Sequence, residues 1–232
     1  GGDQIDFAAE TIRRLALFHD HTETPSDAIA LAPTMAESEE IRESGRIAAW
    51  LWIEGGEPIA DDLTLLRLYH RLGIRGVTLT WMENLSWAGS SGEGNPGKGL
   101  NEFGREVVRE MNRLGMVVDV SHVSDQTFYD VLEVAKDPVI ASHSACRALA
   151  DHYRNLTDDM LRALGENGGV IGICALPSYL DADWDAAWEA TEARLADQVE
   201  AIKAKYGGDT RNPEYREERR LLARGPDFTA YR

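Results

Sequence analysis

Five short apolar runs recur along the middle of the chain, each followed by a stretch with helical periodicity. They are "AAWLWIE" (48–54), "GVTLTW" (76–81), "MVVDVSH" (116–122), "PVIASH" (138–143) and "GGVIGICA" (168–175). Each is rich in Val, Ile, Leu or Trp, is too short for an independent helix, and reads as a strand buried on both faces. The stretches between them read as amphipathic helices. "DDLTLLRLYHRLG" (61–73) lines up Leu63, Leu66 and Tyr69 and stops at Gly73. "NEFGREVVREMNRLG" (101–115) turns Phe103, Val107, Met111 and Leu114 inward and stops at Gly115. "SDQTFYDVLEVA" (124–135) opens on a Ser N-cap, and "TDDMLRALGENGG" (157–169) on a Thr with acidic residues in its first turn.

Five β-then-α units in succession imply parallel strands joined by right-handed crossovers. Two α/β architectures fit, the open doubly wound sheet and the closed (β/α)8 barrel. Both place function at the C-terminal ends of the strands. The residues there are Glu54, Trp81, His122 and His143. The flanks differ: residues 7–22 and 34–44 look helical, with the apolar "AIALAP" (28–33) between them. The charged tail, 184–224, reads as a solvated helical excursion broken by "GGDTRNP" (207–213).

Charge and cysteine content narrow the chemistry. A formal net charge of −16 repels phosphate backbones and anionic lipid surfaces, so nucleic acid is not an expected partner. No apolar stretch approaches the roughly 20 residues of a membrane-spanning helix. No basic-then-apolar leader is visible in this segment, which makes the cytoplasm the expected compartment. Two cysteines, Cys146 and Cys174, are too few and too far apart for a disulfide framework or a thiolate metal site. A metal would therefore be held by histidine and carboxylate, and Glu54, His122 and His143 at three strand ends would converge on one point.

Other motifs weigh less. A Ser-His-acid hydrolase wants a nucleophile elbow such as G-x-S-x-G, which is absent. In a regular strand, the neighbours Ser121–His122 and Ser142–His143 would point to opposite faces. Those serines could pair with ring nitrogens, orient loops, or be turn residues. "GEGNPGKG" (92–99) nearly spells a P-loop, but Gly99 stands where the Mg²⁺-binding hydroxyl belongs, so it reads as a glycine-rich loop near the active face. His19 and His21 read as a solvated helix end, and His70 as surface. His152 could reach the same face as His143, and Arg154 could clamp a carboxylate bidentately.

At these residues the sequence resembles the membrane dipeptidase (renal dipeptidase) family of zinc peptidases. The motifs are "IEGG" (53–56), "LYHRLGIRGVTLTW" (68–81), "GLNEFGREVVREMNRLGMVVDVSHVS" (99–124), "PVIASHSACRAL" (138–149) and "RNLTDDML" (154–161), followed by "GGVIGI". The resemblance implies a (β/α)8 TIM-type barrel with two Zn²⁺ ions. It implies hydrolysis of dipeptides, including those with a C-terminal D-residue, by a metal-activated bridging water. It assigns Glu54 as the catalytic carboxylate bridging the two zincs, His122 and His143 as ligands completing one zinc site, and Arg154 as the group holding the substrate carboxylate. Trp81 stands where the best-known members carry a substrate-contacting His, and His152 joins it on the substrate side. The H-x-D pair of the family's first strand and its last-strand G-x-D-F-D-G motif have no match here. The expectation is thus a single barrel domain over residues 1–232, incomplete at both ends, with five of eight units. By itself this chain would be inactive, and the intact enzyme would be a family-like homodimer. Alternatives are a related barrel hydrolase acting on another amide or a lactone, and an inactive truncated or degenerate homologue.

Overall fold

A computed structural model describes residues 6–22, 28–92 and 97–223. The chain divides into two compact units, Gly1–Leu180 and Asp181–Arg232. The first begins with α1 (Phe7–Thr22), β1 (Ile29–Leu31), α2 (Met35–Glu43) and β2 (Ile47–Ala49). It continues through β3 (Leu51–Glu54), a single 3₁₀ turn at Glu57–Ile59, α3 (Leu63–Arg71), β4 (Ile74–Thr78) and α4 (Glu102–Leu114). Then come β5 (Val117–Asp119), α5 (Asp125–Val134), β6 (Ile140–Ser144), α6 (Asp158–Glu166), β7 (Val170–Ile173) and the short α7 (Pro177–Leu180).

Strands β3 to β7 form one parallel sheet in strict chain order. A doubly wound sheet reverses its strand order at a switch point. Here the order never reverses, and the consecutive helices α3 to α6 pack side by side. The sheet is therefore an arc of a (β/α)8 barrel carrying five units. Side-chain caps start the helices: Ser124 accepts from the Thr127 N–H and Thr157 from Met160, as the sequence predicts, and Asp62 accepts from Thr64 and Asn101 from Gly104. Their apolar stripes meet the sheet. Leu66, Tyr69, Val107, Met111, Phe128, Val131, Met160 and Leu164 are buried with Val77, Val118, Val139 and Ala141 in one core.

Several expectations need correcting. "AAWLWIE" is not one strand: it breaks at Trp50, because its two halves have different neighbours. β2 pairs with β1, Ile47 opposite Ile29, whereas β3 pairs with β4. "AIALAP" accordingly supplies a strand, β1, where only an apolar connection is read from sequence. The last run is not buried on both faces either: in β7, Val170 is 63% and Ile173 60% exposed. Among the described residues, β7 is the edge of the sheet and hydrogen-bonds to β6 alone. His19 and His70 are half-buried rather than solvated, and the His19 ring donates to the Leu72 carbonyl at 3.0 Å.

In the second unit, α8 (Trp184–Lys205) and α9 (Pro213–Ala223) pack on each other. Arg219 pairs with Glu192, and the Tyr206 hydroxyl donates to Glu218 at 2.9 Å. Among the described residues, no helix is long and apolar enough to cross a membrane.

Candidate metal centre

Glu54 is the last residue of β3. The two glycines after it let the chain turn away: Gly55 has φ +91°, and a Cβ on Gly56 would sit 2.6 Å from the Leu79 carbonyl oxygen and from the Trp87 ring. Across the sheet, β5 ends at Asp119 and the backbone then folds so that His122 adopts a left-handed conformation, φ +70°. Its carbonyl accepts from the Ser91 N–H (2.7 Å), the Thr80 hydroxyl (3.0 Å) and the Ser90 hydroxyl (3.2 Å). His143 lies within β6, beside a register irregularity between Ala141 and Ser144.

These three elements bring the side chains together. The Nε2 atoms of His122 and His143 are 2.9 Å apart, and Glu54 Oε1 lies 3.2 Å from the first and 3.3 Å from the second. One ligand atom from each residue falls within 4.8 Å of the other two. Burial, reinforced by Arg154 and His143 nearby, lowers the His122 pKa to about 3, so its ring stays neutral at physiological pH. Its Nδ1 is buried without a hydrogen bond of good geometry. Two imidazole nitrogens and a carboxylate oxygen crowded within van der Waals reach suit a divalent cation better than they suit one another. The donor set, two nitrogens and an oxygen, fits Zn²⁺ or a similar ion.

Arg154 stands beside this trio. It is buried, donating through Nη2 to the His143 carbonyl at 3.2 Å and through Nη1 to the Tyr179 hydroxyl at 2.8 Å, while its Nε has no partner. Burial pulls Arg154 below the usual arginine range, opposed by Tyr179, Tyr153, Cys174 and Glu54. His152 packs into its own loop: its ring stacks on Tyr153 and tilts against Tyr179, and its Nδ1 accepts the Arg154 N–H at 3.1 Å. Trp81 lies at the rim, 53% exposed. With Glu54 it lines a groove of about 1150 Å³ that runs along β3 toward Phe7, Leu15 and Phe18 of α1. Glu57 also lines it, and burial raises its pKa, with Glu83 adding to the effect.

The Ser142–His143 pair departs from the expected geometry. Ser142 Oγ lies 2.7 Å from His143 Nδ1, so the two side chains touch instead of facing opposite ways. The register of β6 is irregular at this point, between Ala141 and Ser144, where strict alternation of the side chains no longer holds. Two contributors escape the sequence reading. Asp119 is fully buried beneath the site and bonded to Thr78, Ser121 and Ser142. A charge inside the apolar run "MVVDVSH" was the signal, since buried carboxylates need partners. Tyr179, on α7, carried no comparable mark.

A family model described as membrane dipeptidase (Peptidase family M19) matches residues 3–210. Dipeptidase verJ of Clonostachys rogersoniana is 38% identical over 205 residues, which cover 88% of this chain and 52% of that protein. Human dipeptidase 3 is 36% identical over 180 residues, 75% of this chain and 36% of its own length. Among solved structures, a metallo peptidase from Rhodobacter sphaeroides, liganded with a phosphinate mimic of the dipeptide L-Ala-D-Ala, superposes with a TM-score of 0.68 at 30% identity. That match covers 75% of this chain and 51% of the Rhodobacter chain. The chain spans about a third to a half of the length of the curated relatives that it matches over most of its own length. On the joint strength of the motif order, the parallel arc and these matches, the chain belongs to the membrane dipeptidase family, peptidase family M19.

Proposed function

We propose that this chain carries the central part of a zinc-dependent dipeptidase, one that hydrolyses the peptide bond of dipeptides, including those with a C-terminal D-residue. The observation that carries the reading is the convergence of Glu54 Oε1 with the Nε2 atoms of His122 and His143. When bound, zinc supplies Lewis-acid polarisation of the scissile carbonyl and lowers the pKa of the attacking water. The chain's own residues do the rest. Glu54, half-exposed at the mouth of the groove, offers one carboxylate oxygen to the histidines and has a second for a neighbouring cation or a proton. The Arg154 guanidinium, held by the His143 carbonyl and the Tyr179 hydroxyl, keeps donor capacity for a substrate carboxylate. His152 shapes the loop that presents it, and the exposed Trp81 ring offers an apolar wall to a substrate side chain. The phosphinate dipeptide mimic bound by the Rhodobacter relative supports the substrate class.

The three ligand atoms serve one ion, and the sequence has no H-x-D pair to complete a second site. The expected result of elemental analysis is therefore at most one weakly held zinc per 232-residue chain, lost in Glu54→Gln and His122→Ala, with no dipeptide turnover by the chain alone. A folded sample that takes up no zinc at millimolar concentration would refute the metal assignment. Trp81 favours one alternative, a related hydrolase acting on another amide or a lactone. Comparing L,L- and L,D-dipeptides with lactones, on this chain joined to a family-type H-x-D strand, separates the two.

A further inference from the structure

We infer that Asp119 and Ser142 are positioning residues that fix the tautomer of His143, holding its proton on Nδ1 so that Nε2 keeps a free lone pair for the metal. Four donors converge on Asp119. Its Oδ1 accepts the N–H groups of Ser121 (2.9 Å) and Ser142 (3.0 Å), and its Oδ2 accepts the hydroxyls of Thr78 (2.7 Å) and Ser142 (2.5 Å). The Thr78 oxygen in turn accepts the indole N–H of Trp52 at 3.0 Å, so its own hydrogen is free for Asp119. A carboxylate fully buried and ringed by four donors is an acceptor only.

The proton count then runs in one direction. Ser142 has a single hydroxyl hydrogen, and it is committed to Asp119. The 2.7 Å contact between Ser142 Oγ and His143 Nδ1 needs another hydrogen, which only the imidazole can supply. His143 is therefore protonated at Nδ1, and its Nε2 presents a lone pair to His122 Nε2 and Glu54 Oε1. The other Ser-His pair supports the same arrangement: Ser121 Oγ accepts the His143 backbone N–H at 3.0 Å, fixing the main chain as Ser142 fixes the ring. An unassisted imidazole favours the opposite tautomer, with hydrogen on Nε2, which would block a ligand. Groups that hold a ligand histidine this way raise metal affinity by about 10–100-fold. The inference rests on the reading of Glu54, His122 and His143 as metal ligands.

The test is long-range ¹H–¹⁵N NMR of histidine-labelled, metal-free protein near pH 7.5, with the His143 signals assigned by their loss in His143→Gln. The expected spectrum shows His143 protonated at Nδ1 in the parent and in Ser142→Thr, and shifted toward Nε2–H in Ser142→Ala. Ser142 is itself exposed, and in Ser142→Ala the buried Asp119 keeps three of its four donors. In calorimetric zinc titrations, Ser142→Ala is expected to bind about 10–100-fold more weakly, with Ser142→Thr near the parent. An Nε2–H tautomer in the parent overturns the inference without reference to any variant. So does a Ser142→Ala protein that keeps Nδ1–H, or one that changes tautomer with unchanged zinc affinity. A parent that shows Nδ1–H but takes up no zinc would sink the metal reading instead, leaving the tautomer assignment intact.

Discussion

His122 has a side chain that joins the candidate metal cluster and a backbone that most residues avoid. Its φ of +70° is paid for by three hydrogen bonds to its carbonyl, and a non-glycine residue in this region costs on the order of 1–2 kcal/mol. His122→Ala and His122→Gly both remove the ring and should both lose metal binding. They differ only in backbone freedom, so the glycine variant is expected to be the more stable by about 1 kcal/mol in urea unfolding. At a position with negative φ the order would be reversed, and finding it reversed here would show that the left-handed turn is unstrained. Sequence pointed to the identity of this residue, because an apolar run ending in histidine at a strand terminus is a recognisable pattern. Its strained backbone was illegible, since it depends on Thr80 and Ser90 arriving from another loop. Asp119 stood out as a charge in an apolar run, but its partners were illegible for a related reason: they lie on β4, on β6 and in the turn after β5.

Among the elements, α3 and α4 are joined through Glu110. This buried carboxylate takes hydrogen bonds from Arg113 at 2.7 Å and from Arg67 of α3 at 2.6 Å. The Arg113 hydrogen bond, against the opposing effect of burial, lowers its pKa to about 2. A carboxylate whose folded pKa lies below its unfolded value near 4.5 stabilises the fold above that pH, and the contribution drains away as pH falls toward 2. The arginine side chains are 43% and 62% exposed, so solvent screening limits the term to about 1–2 kcal/mol. Glu110→Gln should lose that much at pH 7 and should flatten the acid limb of the stability curve between about pH 4.5 and 2. An unchanged acid limb in urea titrations would assign it to other groups. The helices were the most legible elements, because periodicity and caps are local properties. The split at Trp50 was not, because it is decided by which strand each half finds as a neighbour.

For the whole molecule, the sequence identified five βα units but left two architectures open, and only the unreversed strand order distinguishes them. The exposed edge strand β7 predicts a behaviour of the chain in solution. Val170 and Ile173 present apolar side chains beside a backbone edge that no other strand of the described residues pairs, a template for edge-to-edge association. A net charge of −16 opposes such contact only over a Debye length, about 8 Å at physiological salt. The paired substitution Val170→Lys and Ile173→Lys should reduce the concentration-dependent light scattering of the parent chain, most clearly in high salt. Equal scattering from both would locate the sticky surface elsewhere. The unreversed strand order also sets a timetable. Each strand pairs with the one synthesised just before it, so the arc can assemble as the chain leaves the ribosome. Glu54 emerges first and His143 last, which leaves the early carboxylate solvated while β4 and β5 dock. The three side chains of the candidate site come together only when β6 joins the sheet, so that cluster forms late and cannot template the strands before it, and β7 adds after it.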